Sequence, residues 1–141
     1  MILLDTNVLS ALMQRKADPV VVSWLDAQPS ESIWTTAVTV FELWFGLAIL
    51  PDSRRRRPLR DAFARTLQED LDGRVLPFDS AAAQASAVIA ARQRLAGRQV
   101  EIRDVQIAGI AAARRATLAT RNTRHFEGLG IPIVNPWETK R

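Results

Sequence analysis

The 141-residue sequence contains no cysteine. This excludes a disulfide framework, thiolate catalysis and zinc sites built on sulfur, so any metal must be held by oxygen or nitrogen ligands. Histidine is nearly absent, with His125 the only one, and a lone histidine is more often a surface or packed residue than a ligand. Lysine is confined to Lys16 and Lys140, so arginine supplies almost all of the 19 basic residues that outweigh 15 acidic ones, for a net charge of +4. No apolar run approaches the roughly 18 residues of a membrane span. Met1 leads straight into a strand-like run, without the basic and apolar regions of a secretory signal, and a cytoplasmic location is expected. What remains is the composition of an ordinary globular chain, 48% apolar and 24% charged. Its length suits a single domain over residues 1–141 that buries roughly two thirds of its unfolded surface.

Short β-rich runs alternate with longer helical patterns, the sign of βαβ units and a parallel sheet covered on both faces. Strands are expected near 1–4, 32–35, 74–78, 117–120 and 131–134. Helices are expected from a Thr6 or Asn7 cap to about Lys16, from Asp18-Pro19 to about Gln28, and from Ala37 to Leu50. Three more should run from Arg57 to Leu71, Ser80 to Ala96 and Ile102 to Arg115. In a parallel sheet the C-terminal strand ends share one edge, and chemistry is to be sought there.

Asp5 stands on that edge in Leu3-Leu-Asp-Thr-Asn7, where it either caps the first helix or faces a ligand. Glu42 is the only ionisable residue in the apolar stretch Ala37–Leu50. A helix apolar on nearly all sides reads as buried, and a 100° turn per residue puts Glu42 on a stripe with Val38, Phe45, Gly46 and Ile49, expected to face the core. A buried carboxylate must be protonated, paired with arginine or bound to a cation. Asp104 repeats the pattern, aligned with Ile107, Ala108 and Ala111 near a helix N-terminus. Asn122 follows the fourth strand and either ligates through its carbonyl or caps a turn. Close carboxylates at an effective dielectric near 20 repel by about 4 kcal/mol per pair, and a divalent cation relieves this. Oxygen ligands favour Mg²⁺ or Mn²⁺, which can acidify a water for attack on a phosphodiester.

Four segments, Leu3-Leu-Asp-Thr-Asn-Val-Leu9, Ala37-Val-Thr-Val-Phe-Glu-Leu43, Asp104-Val-Gln-Ile-Ala108 and Leu118-Ala-Thr-Arg-Asn-Thr-Arg-His-Phe126, come in an order and spacing that resembles the PIN-domain ribonucleases. The likeness is to the VapC-type toxins of toxin–antitoxin pairs, including the FitB-like branch, and spans almost the whole chain. It implies a three-layer α/β/α domain with a central, mostly parallel sheet of four to five strands. It also implies an acidic pocket for Mg²⁺ or Mn²⁺ formed by Asp5, Glu42 and Asp104, endonucleolytic cleavage of RNA, a homodimer and a cognate antitoxin. Where the family commonly has a further acid, this sequence has Asn122 and His125, with Glu127 a possible substitute.

Ser53–Arg60 holds five arginines in eight residues, of which Arg54, Arg55, Arg56 and Arg57 are candidates for steering phosphates, together with Arg121 beside the fourth strand. Trp24 and Trp44 are candidates for a dimer or antitoxin surface, against the alternative that both are core. A phosphatase or phospho-receiver reading also places an Asp after the first strand. Both of those classes want a lysine near the site, and Lys16 and Lys140 lie away from the expected edge. A second class of reading is a non-catalytic nucleic-acid or partner-binding module with a degenerate acidic pocket.

Overall fold

The computed structural model describes residues 1–51 and 56–138. Among them are five short strands, β1 (Ile2–Leu4), β2 (Ile33–Thr36), β3 (Val75–Leu76), β4 (Thr117–Ala119) and β5 (Ile133–Val134). All pair in parallel in the order β3-β2-β1-β4-β5, with Leu3 facing both Trp34 and Leu118 across the ladders. The helices are α1 (Thr6–Met13), α2 (Pro19–Asp26), α3 (Ala37–Ala48), α4 (Arg56–Arg65), α5 (Ser80–Leu95), α6 (Ile102–Arg114) and α7 (Thr123–Phe126).

Alternation along β1 builds the layers, because successive side chains of a strand point to opposite faces. Leu3 packs with Leu118, Ile107, Ile110 and Phe126 on the side of α5 and α6. Leu4 packs with Val8, Val21, Leu43 and Phe63 on the side of α1 to α4. Two cores therefore clasp one sheet, and the expected α/β/α architecture is observed. No helix among the described residues is long and apolar enough to cross a membrane.

The expected segment from Arg57 to Leu71 is α4 followed by a π-helical turn at Thr66–Asp70. The Thr66 hydroxyl donates to the Ala62 carbonyl at 2.9 Å, while the Leu71 amide reaches back to the Thr66 carbonyl at 3.0 Å. A side-chain bond of this kind competes with the backbone ladder and widens the turn.

A larger correction concerns α3. Its buried residues are Val38, Thr39, Leu43 and Leu47, so the stripe expected to face the core does so only at Val38. Phe45 and Ile49 project outward with 48% and 67% exposure, and Phe41 is 57% exposed. Register is set at the helix start, where the Thr36 hydroxyl accepts from the Thr39 amide at 3.0 Å and meets its hydroxyl at 2.9 Å. This turns Thr39, Leu43 and Leu47 inward and leaves an apolar face outside.

Candidate active site

Parallel pairing brings the ends of β1 and β4 side by side, and the Asp5 amide donates to the Ala119 carbonyl at 3.0 Å. The Asp5 carboxylate is buried and bonded at both oxygens. One accepts from the Thr6 amide at 2.8 Å and the other from the Thr120 hydroxyl at 2.7 Å. Asp5 is thus itself the cap of α1, which corrects the expectation that Thr6 or Asn7 would take that role. Asn7 instead reaches across to β4. Its amide nitrogen donates to the Thr120 hydroxyl at 3.2 Å, and its oxygen accepts from the Arg121 amide at 3.0 Å. With the Asn122 amide also donating to it at 3.0 Å, the Thr120 hydroxyl gives one hydrogen bond and takes two, its full capacity.

Glu42 enters the same cleft from α3 and Asp104 from the first turn of α6. The Thr6 hydroxyl lies 3.5 Å from Glu42 Oε1, and Arg103 Nη1 is 3.8 Å from Glu42 Oε2. Arg103 also faces Glu101 at 3.7 Å and sits 6.0 Å from the centre of the Phe41 ring. His125 Nδ1 stands 3.4 Å from Asp104 Oδ2. As expected, Asp104 shares its face of α6 with the buried Ile107, Ala108 and Ala111. The cleft measures about 1100 Å³ and is lined at this end by all three acids together with Asn122 and His125.

Burial raises the pKa of Asp5 despite the bonds from Thr120 and Thr6. The Glu42 pKa is raised first by burial and then by the charges of Asp5 and Asp104, with Arg103 opposing. Asp104 is raised by burial and by Asp5, with His125 opposing. All three carboxylates therefore hold protons more tightly in the folded chain than in the unfolded one. Stability must then fall as pH rises from about 4 through the raised values, and the whole penalty is present above them. In thermal melts of metal-free protein these three carboxylates should lower the midpoint as pH is raised from about 4. Added Mn²⁺ should raise it more at pH 7.5 than at pH 5, where protons compete for the same oxygens. Equal shifts at the two pH values would contradict this.

Asn122 is exposed on the cleft rim, and Arg121 lines the cleft beside it. Glu127 is exposed and outside the lining, so it does not replace the missing acid. Arg56 and Arg57 line a different groove with Trp44 and Arg60, and Arg54 and Arg55 lie outside the described residues. Lys16 lines the acidic cleft, contrary to the expectation that it lies away from the mapped edge. Trp24 belongs to the core, whereas Trp44 is 36% exposed and leans on Phe63 at 4.7 Å between ring centres. Thr120 and Asn7 lie in the segments that carry the family resemblance, but their bonds to each other and to Asp5 and Arg121 had no local signal, and neither did Arg103. A threonine closing a strand and an arginine beside a glutamate are ordinary in those places.

With this geometry in view, comparison with known proteins is informative. The PIN domain family model matches residues 2–131. The chain is 42% identical over 138 residues to the plasmid stability protein StbB of Pseudomonas syringae pv. tomato, covering 98% of this chain and 99% of that one. It is 41% identical over 138 residues to the VapC ribonuclease Y4jK of Sinorhizobium fredii, with the same coverage. The crystal structure of FitAcB from Neisseria gonorrhoeae superposes with a TM-score of 0.87 at 34% identity, over 99% of this chain and 100% of that one. The chain belongs to the PIN-domain family, with VapC- and FitB-type toxins among its relatives.

Proposed function

We propose that this protein is the toxin of a toxin–antitoxin pair and acts as an Mg²⁺- or Mn²⁺-dependent endoribonuclease. The observation that carries the reading is the meeting of Asp5, Glu42 and Asp104, from β1, α3 and α6, in one cleft where burial raises all three pKa values and the charge of Asp5 raises those of Glu42 and Asp104 further. The similarity to a VapC ribonuclease supports it.

The donor set fits a hard cation, since the three side chains offer only carboxylate oxygens and Asn122 adds a neutral carbonyl at the rim. Among the described residues no group of three or more His, Asp or Glu stands close enough, as placed, to hold a metal ion. Binding by Asp5, Glu42 and Asp104 would therefore require their side chains to draw together, and Mg²⁺ held by a few carboxylates ordinarily keeps several waters. When bound, it supplies the acidity that makes water a nucleophile near neutral pH and the positive charge that offsets the phosphoryl oxygens. The chain's own part is orientation. Thr120 and the Thr6 amide fix both oxygens of Asp5, and Arg103 and His125 stand beside Glu42 and Asp104 at 3.8 and 3.4 Å.

The test is cleavage of a labelled RNA panel with Mg²⁺ or Mn²⁺ and after chelation. Metal-dependent internal cuts support the reading, and cleavage that survives chelation sinks the metal-dependent mechanism. RNA binding without cleavage under any metal would favour the module without catalysis, a reading kept open by the neutral Asn122.

The exposed face of α3 fits the homodimer. Phe41 and Phe45 stack at 5.9 Å, Trp44 and Ile49 are also exposed on α3, and charged groups border them, with Arg103 6.0 Å from the Phe41 ring and Arg57 and Arg60 beside Trp44. An apolar strip of this kind is characteristic of interfaces between identical chains. The occupant we assign to it is a second copy, while the cognate antitoxin covers the acidic cleft. Phe45→Asp should convert a dimer to a monomer in sedimentation velocity with little change in melting temperature. A Phe45→Asp protein as dimeric as wild type would exclude this face.

A further inference from the structure

The acidic cleft has a second end, lined by Lys16, Asp18, Arg121 and Trp137, that the proposed chemistry does not use. There the Arg121 guanidinium carbon sits 4.6 Å from the centre of the Trp137 ring. The ring is itself held from two sides. Its indole N–H donates to Asp18 Oδ2 at 3.0 Å, and its backbone N–H donates to Asn135 Oδ1 at 3.0 Å. Asp18 spends its other oxygen on the Val20 amide at 3.0 Å, as the cap of α2. The indole N–H, followed by that amide, keeps the Asp18 carboxyl below its ordinary pKa.

We propose that Arg121, laid on Trp137 and aimed by it, grips a backbone phosphate of the RNA strand next to the one held at the acids, with Trp137 and Asp18 as positioning residues. The proposal rests on RNA being the ligand of the cleft. Three features separate Arg121 from an ordinary surface arginine. First, it follows Thr120, whose hydroxyl bonds Asp5, and its own amide is fixed by Asn7, so its backbone is tied to the acid end of the cleft. Second, Arg121 feels the charge of Asp18, but no carboxylate among the described residues lies within ion-pair distance of it, whereas Arg103 in the same cleft is engaged by Glu42 and Glu101. Its donors are therefore available to a ligand. Third, an arginine is costly to freeze, and a ring beneath it removes most of that freedom before a ligand arrives. The stacked guanidinium covers one face of Trp137, which makes a phosphate, rather than a base stacked on that face, the better fit.

The test is fluorescence anisotropy of a short labelled single-stranded RNA in EDTA, across a salt series, so that binding is read without cleavage. Arg121→Ala should weaken binding about tenfold and reduce the slope of log affinity against log salt by roughly 0.7, the value for one phosphate contact on a single strand. Arg121→Lys keeps the charge but loses the planar stack, and should recover less than half of the lost affinity on a logarithmic scale. Trp137→Leu should approach Arg121→Ala, and Trp137→Phe, which keeps a ring, should lie between it and wild type. A residue that only tethered the chain would shift the melting temperature and leave the salt slope unchanged. Wild-type affinity and slope in Arg121→Lys and Arg121→Ala, both surface changes compatible with folding, would overturn the proposal, as would wild-type protein that binds no RNA. If wild type binds RNA and these variants behave as expected but nothing is cleaved, the nuclease reading fails and the phosphate grip stands.

Discussion

Asp104→Asn is expected to lower metal-dependent RNA cleavage by roughly 10³-fold, about 4 kcal/mol of transition-state stabilisation, while raising the melting temperature of the metal-free protein. The two effects share one cause. Burial and the neighbouring charge of Asp5 raise the Asp104 pKa, with His125 opposing, so the ionised carboxylate is held at a cost that neutralising it removes. A change that unfolds the chain lowers both quantities, so opposite signs identify a functional carboxylate. Asp5→Asn should reduce cleavage by a similar factor but gain less stability. Its second oxygen becomes an NH₂ facing the Thr120 hydroxyl, which donates to Asp5 and already accepts from Asn7 and the Asn122 amide. Cleavage and melting curves on the same preparations decide it. Full activity in both variants would remove the nuclease assignment.

The largest expected effect on stability lies away from the cleft, at Gly109. Here α6 packs against α5, and a Cβ on residue 109 would lie 2.7 Å from the Ala82 carbonyl oxygen and 2.8 Å from Ser86 Cβ, and would collide with Ser86 Oγ. Ser86 is not free to turn aside, because its hydroxyl bonds the Val105 carbonyl at 3.1 Å within a buried seam. Gly109→Ala should cost roughly 3 kcal/mol, the upper end for overpacking. For a chain of this size that is a drop of roughly 10 °C in melting temperature. Ser86→Gly should restore part of the loss in the double variant, leaving the clash with the Ala82 backbone. Because α6 carries Asp104, cleavage should fall as well. A Gly109→Ala protein that melts with wild type would show that the seam gives way.

These residues also show what the sequence could and could not convey. Strand positions were legible because each strand is a short apolar run bounded by a turn or cap, and Asp104 because its stripe of Ile107, Ala108 and Ala111 does face the core. Glu42 drew attention for a partly mistaken reason. A lone acid in an apolar helix marks a special position, but the apolar residues around it serve an outer face as well as the core, and composition cannot say which side is which. Gly109 reads as a tolerated glycine in a helix until the second helix is in place. The Thr120 hydroxyl bridge and the Asp18–Trp137 bond escape any local pattern, since their partners are 115 and 119 residues apart.

Those separations have a consequence in time. In the order of synthesis Asp5 precedes Thr120, and β1, in the middle of the sheet, waits for β4 and β5 to flank it on one side. A growing chain that has reached α6 already carries Asp5, Glu42 and Asp104, yet lacks the hydroxyl and the strand that hold the first of them in position. The Asp5 end of the cleft cannot be assembled until Thr120 has left the ribosome, and its far end waits for Trp137. A chain interrupted before that point lacks the bond that fixes Asp5, so the order of synthesis places the assembly of the cleft well after the appearance of its three acids.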